Sequence, residues 1–243
     1  HLDIELPPGE KAMVLATIKE AKAKGKKVLF VLNSSGPVET KDFIDDIDAM
    51  LWVYYPGQEG GKAAARMIFG EINPSGKLPL TYPKRYKDCP TCGNFPGSCG
   101  EVWYGEGIFV GYRWYDFKDI EPLFPFGFGL SYTTFEITDI RLSSEKMNLD
   151  VDESIRVSVK VRNSGKFAGK EVVQVYIADE VSTLPKPVKE LKAFKKLLLA
   201  PGEERTVEFD FTKSCLASYD TAYGKWETEP GWYKVLIGSS SRD

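Results

Sequence analysis

The sequence predicts an α/β part and an all-β part, joined by an aromatic segment. Before residue 85, short apolar runs alternate with helical patterns, which is typical of α/β domains. After residue 132, apolar and polar residues alternate in short stretches between turn residues, as in an antiparallel β-sandwich. We therefore expect an α/β part at 1–85, an extended linker rich in cysteine, aromatic residues and glycine at 86–131, and a β-sandwich at 132–243.

Bulk composition excludes several classes of function. The chain has 243 residues, of which 42% are hydrophobic and 28% charged, as in ordinary globular proteins. No apolar run is long enough to predict a membrane-spanning helix. A net charge of −3 does not favour nucleic acid as a partner. The single histidine, His1, excludes an internal Ser-His-Asp triad and a histidine-rich metal site.

The start of the chain suggests that it lies inside a longer polypeptide. It begins without Met and shows no signal peptide, so the sequence does not indicate a compartment.

Five elements are predicted in the α/β part. In order they are a helix over Pro8–Lys24, a strand over Lys27–Asn33 covered on both faces, a short helix near Phe43–Ile47, a strand over Ala49–Tyr55 and a helix over Lys62–Phe69. Gly25 ends the first helix. This order predicts parallel strands with helical crossovers.

The glycine-rich loop Gly57–Gly61 precedes a helix and so resembles a phosphate-binding loop. It lacks the G-x-G-x-x-G spacing and the lysine of a P-loop, and we do not predict nucleotide binding.

Two charge clusters have a ligand interpretation and a simpler one. The acidic cluster comprises Asp42, Asp45, Asp46 and Asp48; the basic one comprises Lys22, Lys24, Lys26 and Lys27. Carboxylates bind cations. However, Phe43, Ile44 and Ile47 lie between the aspartates in sequence, which favours an amphipathic helix whose solvent-exposed face carries the aspartates. The lysines favour a solvated helix end rather than an anion site.

The cysteines are concentrated in one loop. Cys89, Cys92 and Cys99 lie in the loop 86–103, while Cys215 is distant in sequence. A zinc site needs four ligands, and no histidine lies near these cysteines in the sequence. All four thiols could bind zinc only if the fold brought Cys215 close to the loop 86–103. We favour disulfides or thiols over a metal, and predict no metal or cofactor.

The β-sandwich is predicted from alternating strands. They are Phe135–Leu142, Ile155–Arg162, Val173–Ile177, Val207–Phe211 and Trp232–Ile237, separated by turn signals such as Pro201-Gly202 and Pro230-Gly231. Trp226 and Trp232 are candidates for stacking on sugar rings, although packing over the sandwich core is the favoured interpretation.

The segment Tyr104–Phe135 is rich in aromatic residues, glycine and proline. Glycine and proline interrupt helices, so we expect an extended segment. It is too apolar to remain in water, and we expect its rings to pack between two folded bodies.

Several long strings resemble the C-terminal region of glycoside hydrolase family 3, which contains β-glucosidases and β-xylosidases. They are Val31–Pro37, Tyr55–Gly61, Gly70–Pro79, Tyr104–Arg113, Tyr115-Asp116, Pro122–Phe135, Pro187–Phe194 and Leu199–Glu203. Phe128 departs from the histidine usual there. The resemblance implies the latter part of an α/β sandwich domain followed by a fibronectin type III-like β-sandwich.

The resemblance also implies retaining, exo-acting hydrolysis of terminal β-linked sugars, with β-glucosidase preferred over β-xylosidase on family frequency. The family's nucleophile is an aspartate on an N-terminal barrel. Its acid/base glutamate lies just before an Asp-Arg pair, which is followed by a Leu-x-Leu-Pro string. Leu2–Pro7 of this chain matches the tail of that string, and His1 stands at the position of the arginine.

Neither catalytic carboxylate is therefore expected in this chain, and no substrate-binding residue is assigned. The expected partners are the barrel portion, on the same or a separate chain, and an oligosaccharide or β-glycoside, with no nucleic acid or membrane. A non-catalytic carbohydrate-binding or structural module is the alternative.

One carboxylate pair in the chain merits comparison with that mechanism. Retaining glycosidases hold their two carboxyls about 5–5.5 Å apart. Glu101 and Glu106 would be farther apart in an extended chain, so we interpret them as structural or rim carboxylates.

Overall fold

A computed structural model describes residues 3–151 and 153–243 and divides the chain into two compact units. The first unit comprises His1–Ile72, Tyr82–Glu106 and Glu121–Phe124; the second comprises Asn73–Thr81, Gly107–Ile120 and Pro125–Asp243. The predicted match at His1 and Leu2 lies outside the described residues. The aromatic segment contributes residues to both units.

The first unit is built from short α/β elements. They are α1 (Pro8–Ala23), β1 (Leu29–Leu32), a 3-10 helix (Ile44–Asp46), β2 (Ala49–Trp52), α2 (Gly60–Ile68) and a second 3-10 helix (Tyr86–Asp88). β1 and β2 pair in parallel, which confirms the predicted orientation. α1 starts with proline in its first turn and is followed by Gly25 at φ 62°.

One expectation for this unit is wrong. β1 is not covered on both faces, because Leu29 and Val31 are 40% and 41% exposed while Leu32 is buried. These strands form a two-stranded sheet with one face open in the described chain. The link from β1 to β2 contains the predicted short helix near Phe43–Ile47, in the form of the 3-10 helix Ile44–Asp46.

The second unit contains two three-stranded antiparallel sheets. Its elements are α3 (Tyr112–Phe117), β3 (Phe135–Leu142), β4 (Ser154–Asn163), β5 (Gly169–Asp179), β6 (Glu190–Leu199), β7 (Glu204–Thr212), α4 (Lys213–Leu216), β8 (Ser218–Asp220), β9 (Lys225–Glu227) and β10 (Tyr233–Gly238). The strand orders are β10-β5-β6 and β3-β4-β7, and β8 pairs with β9 in a hairpin.

Alternate residues of the strands form one core in this unit. Its buried members are Val157, Val159, Val161, Val173, Val175, Ile177, Leu197, Leu199, Val207, Phe209 and Phe211. This is the period of two that places one face of each strand inward. The sequence does not predict β6, because Lys195 and Lys196 interrupt its apolar pattern, and only Leu197 and Leu199 are buried at its end.

The aromatic segment contains a helix, so the expectation of a fully extended segment is wrong. α3 follows Gly111, at φ 54°, and the chain turns again at Asp119, at φ 52°. The six residues Tyr112–Phe117 contain neither glycine nor proline, and one helical turn fits between the breaks.

The favoured packing of Trp226 and Trp232 over the core is also wrong, since they are 70% and 75% exposed. Trp232 directly precedes Tyr233, which packs against the core, and successive strand residues point to opposite sides. Trp226 lies on the short β8–β9 hairpin, where its ring centre is 5.5 Å from that of its cross-strand neighbour Tyr219.

Candidate functional site

The second unit packs part of the aromatic segment against the outer face of β5. Gln174 and Tyr176 point away from the core because they alternate with its buried valines, yet both are buried. The Tyr112 ring lies 5.8 Å from the Tyr176 ring, edge to face, and 5.1 Å from Phe126. The backbone N–H of Leu191 donates to the Tyr112 hydroxyl at 2.8 Å. The β-sandwich therefore contacts the Tyr112 ring through both apolar packing and a hydrogen bond.

Gln174 connects the segment to the end of the chain. Its Nε2 donates to the carbonyls of Gly127, at 3.3 Å, and Ser239, at 2.5 Å. Its Oε1 accepts a hydrogen bond from the Tyr176 hydroxyl at 2.5 Å. Burial raises the pKa of Tyr176. The Gly127 backbone is at φ 81°, in the region that favours glycine.

Asp116 anchors α3 through a buried carboxylate. Its Oδ1 lies 3.1 Å from the Arg242 guanidinium and its Oδ2 lies 3.6 Å from Lys189 Nζ. Burial raises the pKa of Asp116 even though Lys189 and Arg242 oppose the shift. Desolvation therefore outweighs the two cations at this position.

The raised pKa of Asp116 predicts a pH-dependent stability. Its neutral form is favoured in the folded state, so native stability should fall relative to Asp116→Asn as pH rises through the folded-state pKa. Below about pH 4, the ordinary pKa of an aspartate, the Asp116 carboxyl is neutral in the folded and the unfolded protein. Its ionisation should then not contribute to the difference in stability between the native protein and Asp116→Asn. Urea unfolding of both proteins between about pH 3.5 and about 7.5 measures this difference. A difference that grows in favour of the native protein would contradict the prediction.

The string Gly70–Pro79 also holds the segment in the second unit. Asn73 Oδ1 accepts hydrogen bonds from the Ser131 hydroxyl, at 2.9 Å, and the Tyr132 N–H, at 2.8 Å. Lys77 Nζ lies 2.7 Å from the Glu171 carboxylate and donates to the Gly129 carbonyl at 2.9 Å. The asparagine and lysine of this string therefore fix the path of the chain beyond Gly127.

Tyr82 organises the first unit. Its ring is fully buried, edge-on to Trp52 and Phe124 at 5.4 and 5.7 Å. Its hydroxyl donates to the Val38 carbonyl at 2.7 Å and accepts from the Val38 N–H at 3.2 Å. Burial raises the pKa of Tyr82 to about 12, so the hydroxyl remains a donor at neutral pH. The loop after β1 is thereby held beside the end of β2.

Large apolar side chains of the first unit are exposed. Tyr55 and Phe69, which flank α2, are 74% and 82% exposed, and Trp103 and Tyr104, at the end of the cysteine loop, are 70% and 82% exposed. Tyr54, between β2 and Tyr55, stacks on Trp52 at 4.2 Å with its backbone at φ 52°. Exposed apolar side chains of this size are typical of contact surfaces.

Ion pairs occupy most of the two charge clusters. Asp42 lies 2.6 Å from Lys11, Asp46 pairs with Lys22, and Asp48 lies 2.6 Å from Lys27. Lys24, which directly follows α1, pairs with Glu20. Apart from the partly buried Lys11, these side chains are exposed, as a solvated surface predicts.

The remaining candidates do not come together as a metal or carboxylate site. All four cysteines carry thiols, with Cys92 and Cys99 exposed and Cys89 and Cys215 partly buried. No group of three or more potential metal ligands occurs in residues 3–151 and 153–243. Glu101 is exposed, in a bridge to Ser98, whereas the Oε2 of Glu106 is buried without a hydrogen-bond partner. α2 begins at Gly60, inside the predicted glycine loop.

Within the part of the chain that the structure describes, no helix has both the length and the hydrophobicity to span a bilayer.

Sequence reasoning assigned no role to Asn73, Asp116, Gln174 or Tyr176. Asn73 and Asp116 lie in strings that carry the family resemblance, which was the available signal. Gln174 and Tyr176 occupy alternate positions of a strand and so look like residues on a solvent-facing side.

The chain belongs to glycoside hydrolase family 3: residues 1–132 match the glycosyl hydrolase family 3 C-terminal domain. Residues 171–241 match the fibronectin type III-like domain. The fold is therefore the α/β and fibronectin type III-like combination that the sequence predicts.

Similar proteins are named as β-glucosidases. Thermostable β-glucosidase B of Acetivibrio thermocellus is 47% identical over 240 residues, which cover 99% of this chain and 31% of that protein. β-Glucosidase BoGH3A of Bacteroides ovatus is 43% identical over 247 residues, covering 100% of this chain and 32% of that protein.

The solved structure of β-glucosidase 3B from Thermotoga neapolitana in complex with α-D-glucose has a TM-score of 0.90 and 42% identity. It covers 98% of this chain, which matches 33% of that structure. The chain thus spans about a third of the length of the relatives it matches.

Proposed function

We propose that this chain is the C-terminal portion of a retaining, exo-acting β-glucosidase that removes terminal β-linked glucose. The observation that carries the proposal is similarity to β-glucosidases along 99% of the chain, at 47% identity. In this proposal the nucleophile aspartate and the acid/base glutamate lie on sequence outside residues 1–243. The chain's own role is to support and wall the active site.

The partner in this proposal is the N-terminal barrel portion of the enzyme, on the same or a separate chain. Two observations support contact with a further folded domain. The relatives are about three times longer than this chain, and the first unit exposes the large side chains Tyr55, Phe69, Trp103 and Tyr104. The open face of β1, with Leu29 and Val31, adds apolar area that this chain leaves uncovered.

We also propose the domain division 1–85, 86–131 and 132–243. In this division the α/β part ends after Gly70–Pro79, the third of the strings that resemble the family. The middle part is the linker, and the last part is the sandwich. Alternating strands from Phe135 onward and the parallel pair β1–β2 support it. Limited proteolysis tests it, with cuts expected first in the exposed residues of the cysteine loop, near 91–104.

The isolated chain is expected not to hydrolyse p-nitrophenyl β-glucoside, because both reacting carboxylates are absent from it in this proposal. A chimera in which this chain replaces the matching third of Thermotoga neapolitana β-glucosidase 3B is expected to hydrolyse it. The rate of nitrophenol release measures both, with p-nitrophenyl β-xyloside as the competing substrate.

An intact mass confirms that the isolated chain is free of other polypeptides. Turnover by that pure chain would reject the assignment of the carboxylates to absent sequence. A chimera that prefers the β-xyloside would reject β-glucosidase in favour of β-xylosidase.

A further inference from the structure

The second unit carries a cavity of about 610 Å³ at one end of the sandwich. The loop after β5, the β8–β9 hairpin and the turn before β10 form its walls. Cavities that bind small molecules have volumes of about 300–1,000 Å³. The space therefore has the size of a ligand site.

Two aromatic rings in the cavity wall are left in solvent. Tyr223 is 78% exposed and Trp232 is 75% exposed, and both line the cavity. Neither ring belongs to the sandwich core. Exposed rings at the wall of a cavity offer flat apolar faces, which suit a ligand that stacks.

Fixed carboxylates accompany the rings. Asp220 is buried, and its Oδ1 accepts hydrogen bonds from the N–H groups of Ala222, at 2.8 Å, and Tyr223, at 3.3 Å. Glu229 accepts hydrogen bonds from the Ser182 hydroxyl, at 2.5 Å, and from the N–H and hydroxyl of Thr183. Each carboxylate has further lone pairs that can accept from a ligand hydroxyl.

Two of the four carboxylates that line the cavity are paired with lysines. Glu180 lies 2.6 Å from Lys234, and Glu227 lies 3.3 Å from Lys225. Hydrogen bonds hold the pKa of Glu229 below its usual value, with Ser182 contributing most and the charge of Lys186 contributing least. The two remaining carboxylates, Asp220 and Glu229, can accept hydrogen bonds from a ligand rich in hydroxyl groups.

We propose that this cavity binds a β-linked glucose oligomer, with sugar rings stacked on Trp232 and Tyr223 and hydroxyls donating to Asp220 and Glu229. The choice of a glucose oligomer rests on the proposed function, whereas the rings and fixed carboxylates independently indicate a sugar. The site gives the fibronectin type III-like unit a binding role in addition to a supporting one.

Titration of the 243-residue chain with cellotetraose, followed by calorimetry, tests the proposal. Trp232→Ala and Tyr223→Ala are each expected to weaken binding about tenfold or more, because each removes a stacking face. Trp226→Ala is the matched control, since Trp226 is 70% exposed but contacts Tyr219 and does not line the cavity. Its affinity is expected to change less than about twofold.

Circular dichroism of each variant verifies that it is folded. Absence of cellotetraose binding by the folded native chain, or equal weakening by Trp226→Ala, would overturn the proposal. Binding of tetralysine in preference to cellotetraose would overturn it in favour of a cationic ligand. The titration measures binding to the cavity, whereas the chimera assay measures turnover. Either experiment can fail while the other succeeds, so the failure of this proposal is distinguishable from the failure of the proposed function.

Discussion

Replacing Asn163 by leucine is expected to lower the free energy of unfolding of the second unit by about 3–5 kcal/mol. Asn163 is fully buried at the end of β4. Its Oδ1 accepts from the Thr133 hydroxyl, at 2.8 Å, and the Gly165 N–H, at 3.1 Å. Its Nδ2 donates to the carbonyls of Phe167, at 2.8 Å, and Leu199, at 3.0 Å.

Leucine has the same number of side-chain heavy atoms, branched at the same carbon, but leaves these four groups without their partner. Each buried polar group that loses its hydrogen bond costs about 1–3 kcal/mol, although the two carbonyls can recover part of this from water. Urea unfolding, followed by the β-sheet signal in circular dichroism, measures the change.

Asn148→Leu is the matched control for this substitution. Asn148 is exposed, and its Oδ1 accepts the N–H of Asp150, at 3.0 Å. Its loss should cost less than about 1 kcal/mol, because water replaces the asparagine at that N–H. Equal losses for the two variants would show that the buried network around Asn163 does not stabilise the unit.

Periodicity in the sequence was sufficient for much of the fold. The alternation in β4 and β7 corresponds directly to the buried valines and phenylalanines of the core. The parallel pairing of β1 and β2 follows from two short apolar runs separated by a connection that contains a short helix. β6 was not predictable in this way, because Lys195 and Lys196 lie at its exposed middle and mask the alternation.

The candidate site was less predictable, because its contacts join residues that are distant in sequence. The outer face of β5 shows Gln174 and Tyr176, a pattern equally compatible with solvent. Only the fold places Gly127 and Tyr112 against them. Likewise, the exposure of Trp232 depends on the position at which β10 begins, and alternation alone locates strand ends poorly.

The exposure of β1 was not predictable from its apolar pattern. An apolar run such as β1 predicts a strand covered on both faces, but Leu29 and Val31 remain exposed here. The chain spans about a third of its relatives' length. Among the described residues, only one face of this sheet is covered.

Gly127 combines a special backbone conformation with a close approach. Its φ is 81°, and a Cβ added there would lie 2.3 Å from Gln174 Oε1. Gln174 cannot easily move away, because its Nε2 donates to the Ser239 carbonyl and its Oε1 accepts from the Tyr176 hydroxyl. An added methyl group must therefore displace a buried, hydrogen-bonded side chain.

Gly127→Ala is accordingly expected to destabilise the second unit by about 2–5 kcal/mol, from about 1–2 kcal/mol of backbone strain and about 1–3 kcal/mol of overpacking. Gly202→Ala separates the two costs, because Gly202 has a similar φ of 77° but nothing within 4 Å of its added Cβ. It should lose only the strain, about 1–2 kcal/mol. Urea unfolding of both variants measures the difference. If the two losses are equal, the contact between Gly127 and Gln174 does not fix the aromatic segment on β5, and backbone strain alone accounts for the glycine.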